Sequence, residues 1–202
     1  MRETSILIGG FGGQGVLLLG RLIAYAGMLE DREVTCFPSY GAEMRGGTAN
    51  CTVIVSDELI GSPVVLDVDI LIAMNEASLK RFSERVKSGG MVIYNTSLIK
   101  DVELRRDVIY KGVPANEISA SLIGKGDSSG SSIQVRSANM VMLGAFVSCS
   151  GLIKPDSAYD ALRRLTGTRG KERLSENIEA IKRGIDYIAS KKGEDIRHQG
   201  SS

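Results

Sequence analysis

Tryptophan is absent from this chain of 202 residues, and histidine occurs once, as His198 in a polar tail. Aromatic residues make up only 5% of the sequence, too few to build a platform on which bases stack. A formal net charge of +1 leaves no electrostatic footprint for nucleic acid or an anionic membrane surface. No apolar run reaches the roughly 18–20 residues needed to cross a bilayer. The start, Met1-Arg2-Glu3-Thr4-Ser5, lacks the long apolar region and small-residue cleavage site of a secretory leader, so a cytoplasmic location is expected.

Cysteine is scarce as well. Cys36, Cys51 and Cys149 are odd in number and widely spaced, with no Cys-x-x-Cys pair. They cannot supply four ligands to an iron–sulfur cubane, and with a single histidine no metal site is expected. They read as buried free thiols in a reducing compartment. Without a histidine to activate them, none is expected to act as a nucleophile, and no residue is assigned acid–base chemistry.

What is present is the profile of a globular protein: 43% hydrophobic and 24% charged residues, enough to bury a core. The expectation is a single domain over residues 1–190, followed by a flexible tail at 191–202. Ser5–Gly9 reads as a buried strand, and Val16–Leu29, rich in Leu and Ala, as a helix. Glu33–Phe37 is strand-like and expected to stop at Pro38, with Ser39–Thr48 a loop. Asn50–Val55 alternates like a strand, and Ser56-Asp57 followed by Glu58–Gly61 suggests a hairpin. Val68–Met74 is a buried strand. Leu79, Phe82 and Val86 put a helix over Glu76–Lys87, closed by Gly89-Gly90, and Met91–Asn95 makes another strand.

Further on, Val108–Tyr110 is strand-like and Pro114 opens a short helix through Leu122. Gly124–Ser132 is Gly/Ser-rich and expected to be a mobile loop. Ala138–Ser150, Pro155–Leu165 and Lys171–Ile188 follow as helices. The alternation predicts an α/β class, a Rossmann-like layered fold with a mixed, mainly parallel sheet and a helical C-terminal third. That third is expected to cover a face of the sheet or to pack on a partner.

Two loops carry candidate chemistry. Gly10-Phe11-Gly12-Gly13-Gln14-Gly15 lies between a predicted strand and a predicted helix, where backbone N–H groups and the positive end of a helix dipole are presented. Such glycines either admit a phosphate or pyrophosphate or only permit a tight strand-to-helix turn, and the motif alone supports both readings. A dinucleotide site also needs a ribose-binding acid near the end of the second strand. That end reads Cys36-Phe37-Pro38-Ser39 without a carboxylate, which leaves NAD(P) binding by a freestanding dehydrogenase as an alternative with half its signature missing. No Lys-Ser or Lys-Thr pair follows the glycines, which excludes a Walker-type loop.

The second loop, Ser39-Tyr40-Gly41-Ala42-Glu43-Met44-Arg45-Gly46-Gly47-Thr48-Ala49-Asn50, offers Arg45 as a fork-shaped cation able to clamp a carboxylate or phosphate. An internal Glu43–Arg45 pair that stiffens the loop or docks another chain accounts for the same residues. Asn75, Asn95 and Asn139, placed after apolar strands or at a helix start, are candidates either for the mouth of one site or for turn and cap positions.

Gly10-Phe11-Gly12-Gly13-Gln14-Gly15-Val16 followed by Phe37-Pro38-Ser39-Tyr40-Gly41-x-Glu43-x-Arg45-Gly46-Gly47-Thr48-Ala49-Asn50-Cys51 resembles the gamma subunits of 2-oxoacid:ferredoxin oxidoreductases. These include the pyruvate, 2-oxoglutarate, branched-chain and indolepyruvate types. The resemblance continues through Ile60-Gly61-Ser62-Pro63, Leu71-Ile72-Ala73-Met74-Asn75, Val113-Pro114-Ala115 and Asn139–Ala145, and so covers most of the chain up to about Gly151.

The resemblance implies a complex that oxidatively decarboxylates a 2-oxoacid with coenzyme A, giving an acyl-CoA, carbon dioxide and reduced ferredoxin. It implies alpha and beta partners, in some members with a ferredoxin-like delta chain, and no activity for the gamma chain alone. Thiamine diphosphate, Mg and 4Fe–4S clusters are implied on those partners. In keeping with this, the Gly-Asp-Gly…Asn-Asn pattern of thiamine enzymes is missing here; Gly126-Asp127 runs into Ser128. For this chain the resemblance implies a supporting role or a purely structural scaffold. In the supporting role, Gly12, Gly13, Gln14, Gly15, Arg45, Thr48 and Asn75 would face coenzyme A or the neighbouring subunit.

Overall fold

An unbroken run of buried residues sets the centre of the molecule: β1 (Glu3–Phe11) is covered from Thr4 through Gly10. The computed structural model describes residues 3–40, 48–100, 102–103, 105–122, 137–166 and 171–191, with 40, 48, 171 and 172 described by backbone alone. β1 pairs in parallel with β4 (Val68–Ala73), which pairs in parallel with β5 (Val86–Asn95), and that with β6 (Ile109–Val113). On its other side β1 pairs antiparallel with β3 (Thr48–Ser56), and β2 (Glu33–Tyr40) pairs antiparallel with β3 at the edge. The order is therefore β2-β3-β1-β4-β5-β6, a mixed and mainly parallel sheet.

Side chains alternate between its two faces, as the period of a strand requires. Ile6, Ile8, Ile70, Ile72 and Ile93 pack toward α1 (Val16–Met28), α4 (Ala138–Ser150), α5 (Pro155–Thr166) and α6 (Lys171–Ser190). Leu7, Leu71, Ala73 and Val92 pack toward Leu79 and Phe82 of α2 (Glu76–Phe82). The C-terminal helices thus cover one face. Every residue of α4 from Ala138 to Val147 is buried, so this helix has no solvent side and forms the interior of that layer. α6 lies close against it because a Cβ on Gly144 would meet the Ile181 carbonyl oxygen at 2.0 Å, and one on Gly184 the Val141 carbonyl oxygen at 2.1 Å.

Several expectations are corrected. The hairpin at Ser56-Asp57 does not form: β3 ends at Ser56, and its antiparallel neighbours are β1 and β2. With both sides of β3 occupied, Glu58–Gly61 has no strand to join, and Leu59 is 86% exposed. Strand β2 does not stop at Pro38 but continues to Tyr40, with Pro38 opposite Cys51. An edge strand tolerates proline because one row of its N–H groups has no partner to lose.

Ser39, Tyr40 and Thr48 belong to strands rather than to the loop; residues 41–47 of that loop, with Glu43 and Arg45, lie outside the described residues. The expected helix over Glu76–Lys87 ends at Phe82, a short 3-10 turn covers Ser83–Arg85, and Val86 already opens β5. Gly89-Gly90 therefore sits inside a strand. A register shift between Val68 and Ile70 marks the irregularity there, and Gly89 takes φ 77°. Cys36 is exposed on the edge strand instead of buried, and Cys149 is half-buried; only Cys51 is in the core. The Gly/Ser-rich segment 124–132 and the tail beyond Lys191 lie outside the described residues.

Candidate functional site

The connection leaving β1 runs through α1 toward β2, and the connection leaving β4 runs through α2 toward β5, on opposite sides of the sheet. The strand order therefore switches between β1 and β4. Open α/β sheets form their ligand crevice outside the carboxyl ends of the strands at such a point. The glycine loop and Asn75 both stand there.

Phe11 closes β1, and a turn follows in which the Gln14 N–H donates to the Phe11 carbonyl at 3.2 Å. Gly13 takes φ 94°, and Gly15, the N-cap of α1, takes φ 75°. Both values lie in the left-handed region that disfavours other residues. Gly12 and Gly13 are exposed, and an added Cβ on either would meet nothing within 4 Å. No side chain caps α1, and its first turn holds no acidic residue. Among the described residues nothing compensates its positive end, which suits an anion.

Gln14 locks this loop to the next strand. Its Oε1 accepts from the Phe11 N–H at 2.7 Å and from Asn75 Nδ2 at 2.7 Å. Asn75 in turn caps α2, its Oδ1 accepting from the Ser78 N–H at 2.9 Å. At 4% exposure, with both ends of its amide engaged, Asn75 acts as a brace between the two loops. Gln14 keeps only its NH2 end for a ligand.

Asn139, in the first turn of α4, closes the site from below. Its Nδ2 lies 3.5 Å from the Gly15 carbonyl oxygen, and a Cβ on Gly15 would meet that nitrogen at 2.2 Å. The side chain is 3% exposed, and its Oδ1 has no hydrogen-bond partner among the described residues. Asn95 belongs to the neighbouring connection. Its Oδ1 accepts from the Ser97 and Ala115 N–H groups at 3.2 Å each, and its Nδ2 donates to Asn116 Oδ1 at 3.0 Å. Of the three asparagines, two converge on the glycine loop and the third holds β5 to the β6–α3 turn, α3 being Ala115–Ser121.

The second loop begins and ends at the same edge of the sheet. Thr48 stands opposite Phe11 and Ala49 opposite Gly10, so the chain enters β3 beside the glycine loop. The Thr48 side chain, like Arg45, lies outside what is described. At this end the described groups are amides and backbone N–H donors, suited to recognition rather than proton transfer. No group of three or more His, Cys, Asp or Glu side chains that could hold a metal occurs among the described residues. Among them, no helix is long and apolar enough to cross a membrane.

The dinucleotide alternative loses ground on topology. β3 is inserted between β1 and β2, so the end of β2 lies two strand spacings, roughly 10 Å, from the glycine loop. A ribose-binding acid there would be displaced from its usual place beside the first strand.

Fold and rim together define a doubly wound α/β protein with a cluster of amides and backbone N–H groups at its switch point. Residues 5–187 match the family described as pyruvate ferredoxin/flavodoxin oxidoreductase, and the chain belongs to that family. Ketoisovalerate oxidoreductase subunit VorA of Methanothermobacter marburgensis is 38% identical over 189 residues, covering 92% of this chain but only 37% of that protein. 2-Oxoglutarate synthase subunit KorC of the same organism is 32% identical over 192 residues, covering 92% of this chain and 97% of that one. The fold is shared with the 2-oxoglutarate:ferredoxin oxidoreductase of Magnetococcus marinus, solved with 2-oxoglutarate, coenzyme A and succinyl-CoA bound. There the TM-score is 0.82 at 24% identity, over 97% of this chain and 32% of that one. The same unit thus occurs both as nearly a whole chain and as about a third of a longer one.

Proposed function

We propose that this chain is the gamma-type part of a 2-oxoacid:ferredoxin oxidoreductase, inactive alone and working with alpha and beta chains, in some assemblies also with a ferredoxin-like delta chain. The complex would convert a 2-oxoacid and coenzyme A to acyl-CoA and carbon dioxide, passing electrons to ferredoxin in the cytoplasm. Residues 1–190 would act as one domain. Thiamine diphosphate, Mg and the 4Fe–4S clusters belong to the partner chains.

The observation that carries this reading is the convergence of both family motifs at one end of the sheet, Phe11 opposite Thr48 and Gln14 bonded to Asn75. Gly12, Gly13 and Gly15 would present N–H groups and the α1 dipole to a phosphate of coenzyme A, with the Gln14 NH2 as a further donor. Arg45 would clamp a second anionic group. Thr48 and Asn75 hold the two loops in register beside one another. Chemistry at the reacting carbon is left to the partners, and this rim positions the acceptor of the acyl group.

The test is reconstitution. Alpha and beta chains assembled with this chain should form acyl-CoA from a 2-oxoacid and reduce ferredoxin, and omission of this chain should abolish coenzyme A-dependent turnover. Unchanged turnover without it would refute the assignment.

A further inference from the structure

Cys36 and Cys51 lie on neighbouring antiparallel strands, and their Sγ atoms approach to 3.5 Å. In the β2–β3 ladder Cys36 stands opposite Val53 and Cys51 opposite Pro38, so the two thiols meet diagonally on one face. Their environments differ sharply. Cys36 is exposed, whereas Cys51 is fully buried. A hydrogen bond with Cys51 holds the Cys36 thiol down at about 7, against the effect of burial and with help from the charge of Arg21. The same bond, then burial, then the facing Cys36 push the Cys51 thiol far up. The exposed Cys36 is therefore the more readily ionised of the two, and the buried Cys51 the one that keeps its proton. The space is shaped around sulfur: a Cβ on Gly20 of α1 would stand 2.5 Å from Cys51 Sγ.

We infer that Cys36 and Cys51 form a thiol–disulfide exchange site for a low-molecular-weight disulfide, with Cys36 the attacking sulfur and Cys51 the resolving one. The Cys36 thiolate attacks one sulfur of the disulfide, forming a mixed disulfide and releasing a thiolate. That thiolate takes the Cys51 proton. Cys51 sulfur then attacks Cys36 Sγ, and the second small thiol leaves with a proton from water. From the Cys36 thiolate and the Cys51 thiol the chain loses two electrons and one proton. The small disulfide gains the two electrons, that proton and a second from water, which leaves hydroxide; relative to the neutral dithiol the chain is short of two hydrogens.

Consumption of the Cys36 charge in the first step removes a cause that held the Cys51 proton, which orders the two steps. The sulfurs must close from 3.5 Å to about 2.05 Å. Among the described residues β2 is bonded on one side only, which gives it room to shift. The crosslink would tie β2 to β3 at the base of the connection that carries Glu43 and Arg45.

The experiment treats the full chain with glutathione disulfide, quenches in acid and maps the peptides by mass. The expected product is a Cys36–Cys51 linked peptide lacking two hydrogens, reversed by dithiothreitol. Cys51→Ala should trap the glutathione adduct on Cys36, and Cys36→Ser should give neither product. Iodoacetamide at pH 7 should alkylate Cys36 about threefold faster than a free cysteine peptide, a larger thiolate fraction being partly offset by lower nucleophilicity. A glutathione adduct that persists on Cys36 in the unmodified chain, modification led by Cys149, or alkylation no faster than the peptide would each overturn the proposal.

Discussion

Gln14 and Asn75, 61 residues apart, share a hydrogen bond of 2.7 Å that joins the loop after β1 to the loop after β4. The same Gln14 oxygen holds the Phe11 N–H, and the same Asn75 side chain caps α2. One contact therefore sets the relative position of two helix N-termini on opposite faces of the sheet. The site depends on this brace for its shape.

Gln14→Ala and Asn75→Ala should each destabilise the fold by about 1–2 kcal/mol, from the lost acceptor in one case and the lost cap in the other. Because they share a bond, the double variant should lose about 0.5–1.5 kcal/mol less than the sum of the two. Urea denaturation of the four proteins measures this coupling. Strict additivity would mean that the brace is not made in solution.

Gly15→Ala carries two separate penalties. Any side chain at φ 75° costs about 1–2 kcal/mol, and here the new methyl also meets Asn139 Nδ2 at 2.2 Å. In an Asn139→Ala background the steric part should shrink to a contact with the remaining Cβ at 3.3 Å, and the backbone part remain. Thermal melts should accordingly show a smaller effect of Gly15→Ala in that background than alone.

Arg45→Ala in the assembled complex should raise the KM for coenzyme A by about tenfold or more, as expected for removal of a charge-assisted contact, with assembly unaffected. Steady-state kinetics at saturating 2-oxoacid reads this out. A complex that assembles and keeps its KM would leave the second loop a docking element only.

At the opposite end of β1, Asp69 predicts a pH effect. Burial raises its carboxyl pKa, but the Ser5 backbone N–H, the Lys87 ammonium and the Ser5 hydroxyl outweigh it and hold the value below normal. A carboxylate whose folded pKa is depressed stabilises the fold above its unfolded pKa, and that contribution is lost as pH falls through the folded value. The stability difference between the natural chain and Asp69→Asn should therefore be greatest at neutral pH and should shrink in acid. Urea midpoints across that range give the answer, and a gap that widens in acid would contradict it.

Elements buried all round were plain in the sequence: β1, β4 and α4 are apolar runs bounded by glycine or polar residues, and their neighbours leave no ambiguity of face. Val86 reads as helix from sequence because a valine at helical spacing from Leu79 and Phe82 is equally buried at the start of a parallel strand. The insertion of β3 between β1 and β2 was illegible, since strand order depends on contacts between distant segments and not on local pattern. At the site, the glycine loop announced itself through its strand–turn–helix setting. The Gln14–Asn75 bond did not, because nothing local to either amide reports a partner 61 residues away. The exposure of Cys36 is hidden for a related reason: a place on an edge strand follows from sheet order, and the cysteine itself carries no sign of it.

The enclosure of α4 from Ala138 to Val147 has a consequence for how the site opens. Amide protons on this helix can exchange with solvent only when the whole helical layer separates from the sheet, so they should be among the slowest in the molecule. Asn139 belongs to that helix and supports Gly15 directly. The floor under the glycine turn is thus anchored to a buried layer between α6 and the sheet, so the turn should not lose its support unless that layer is disturbed.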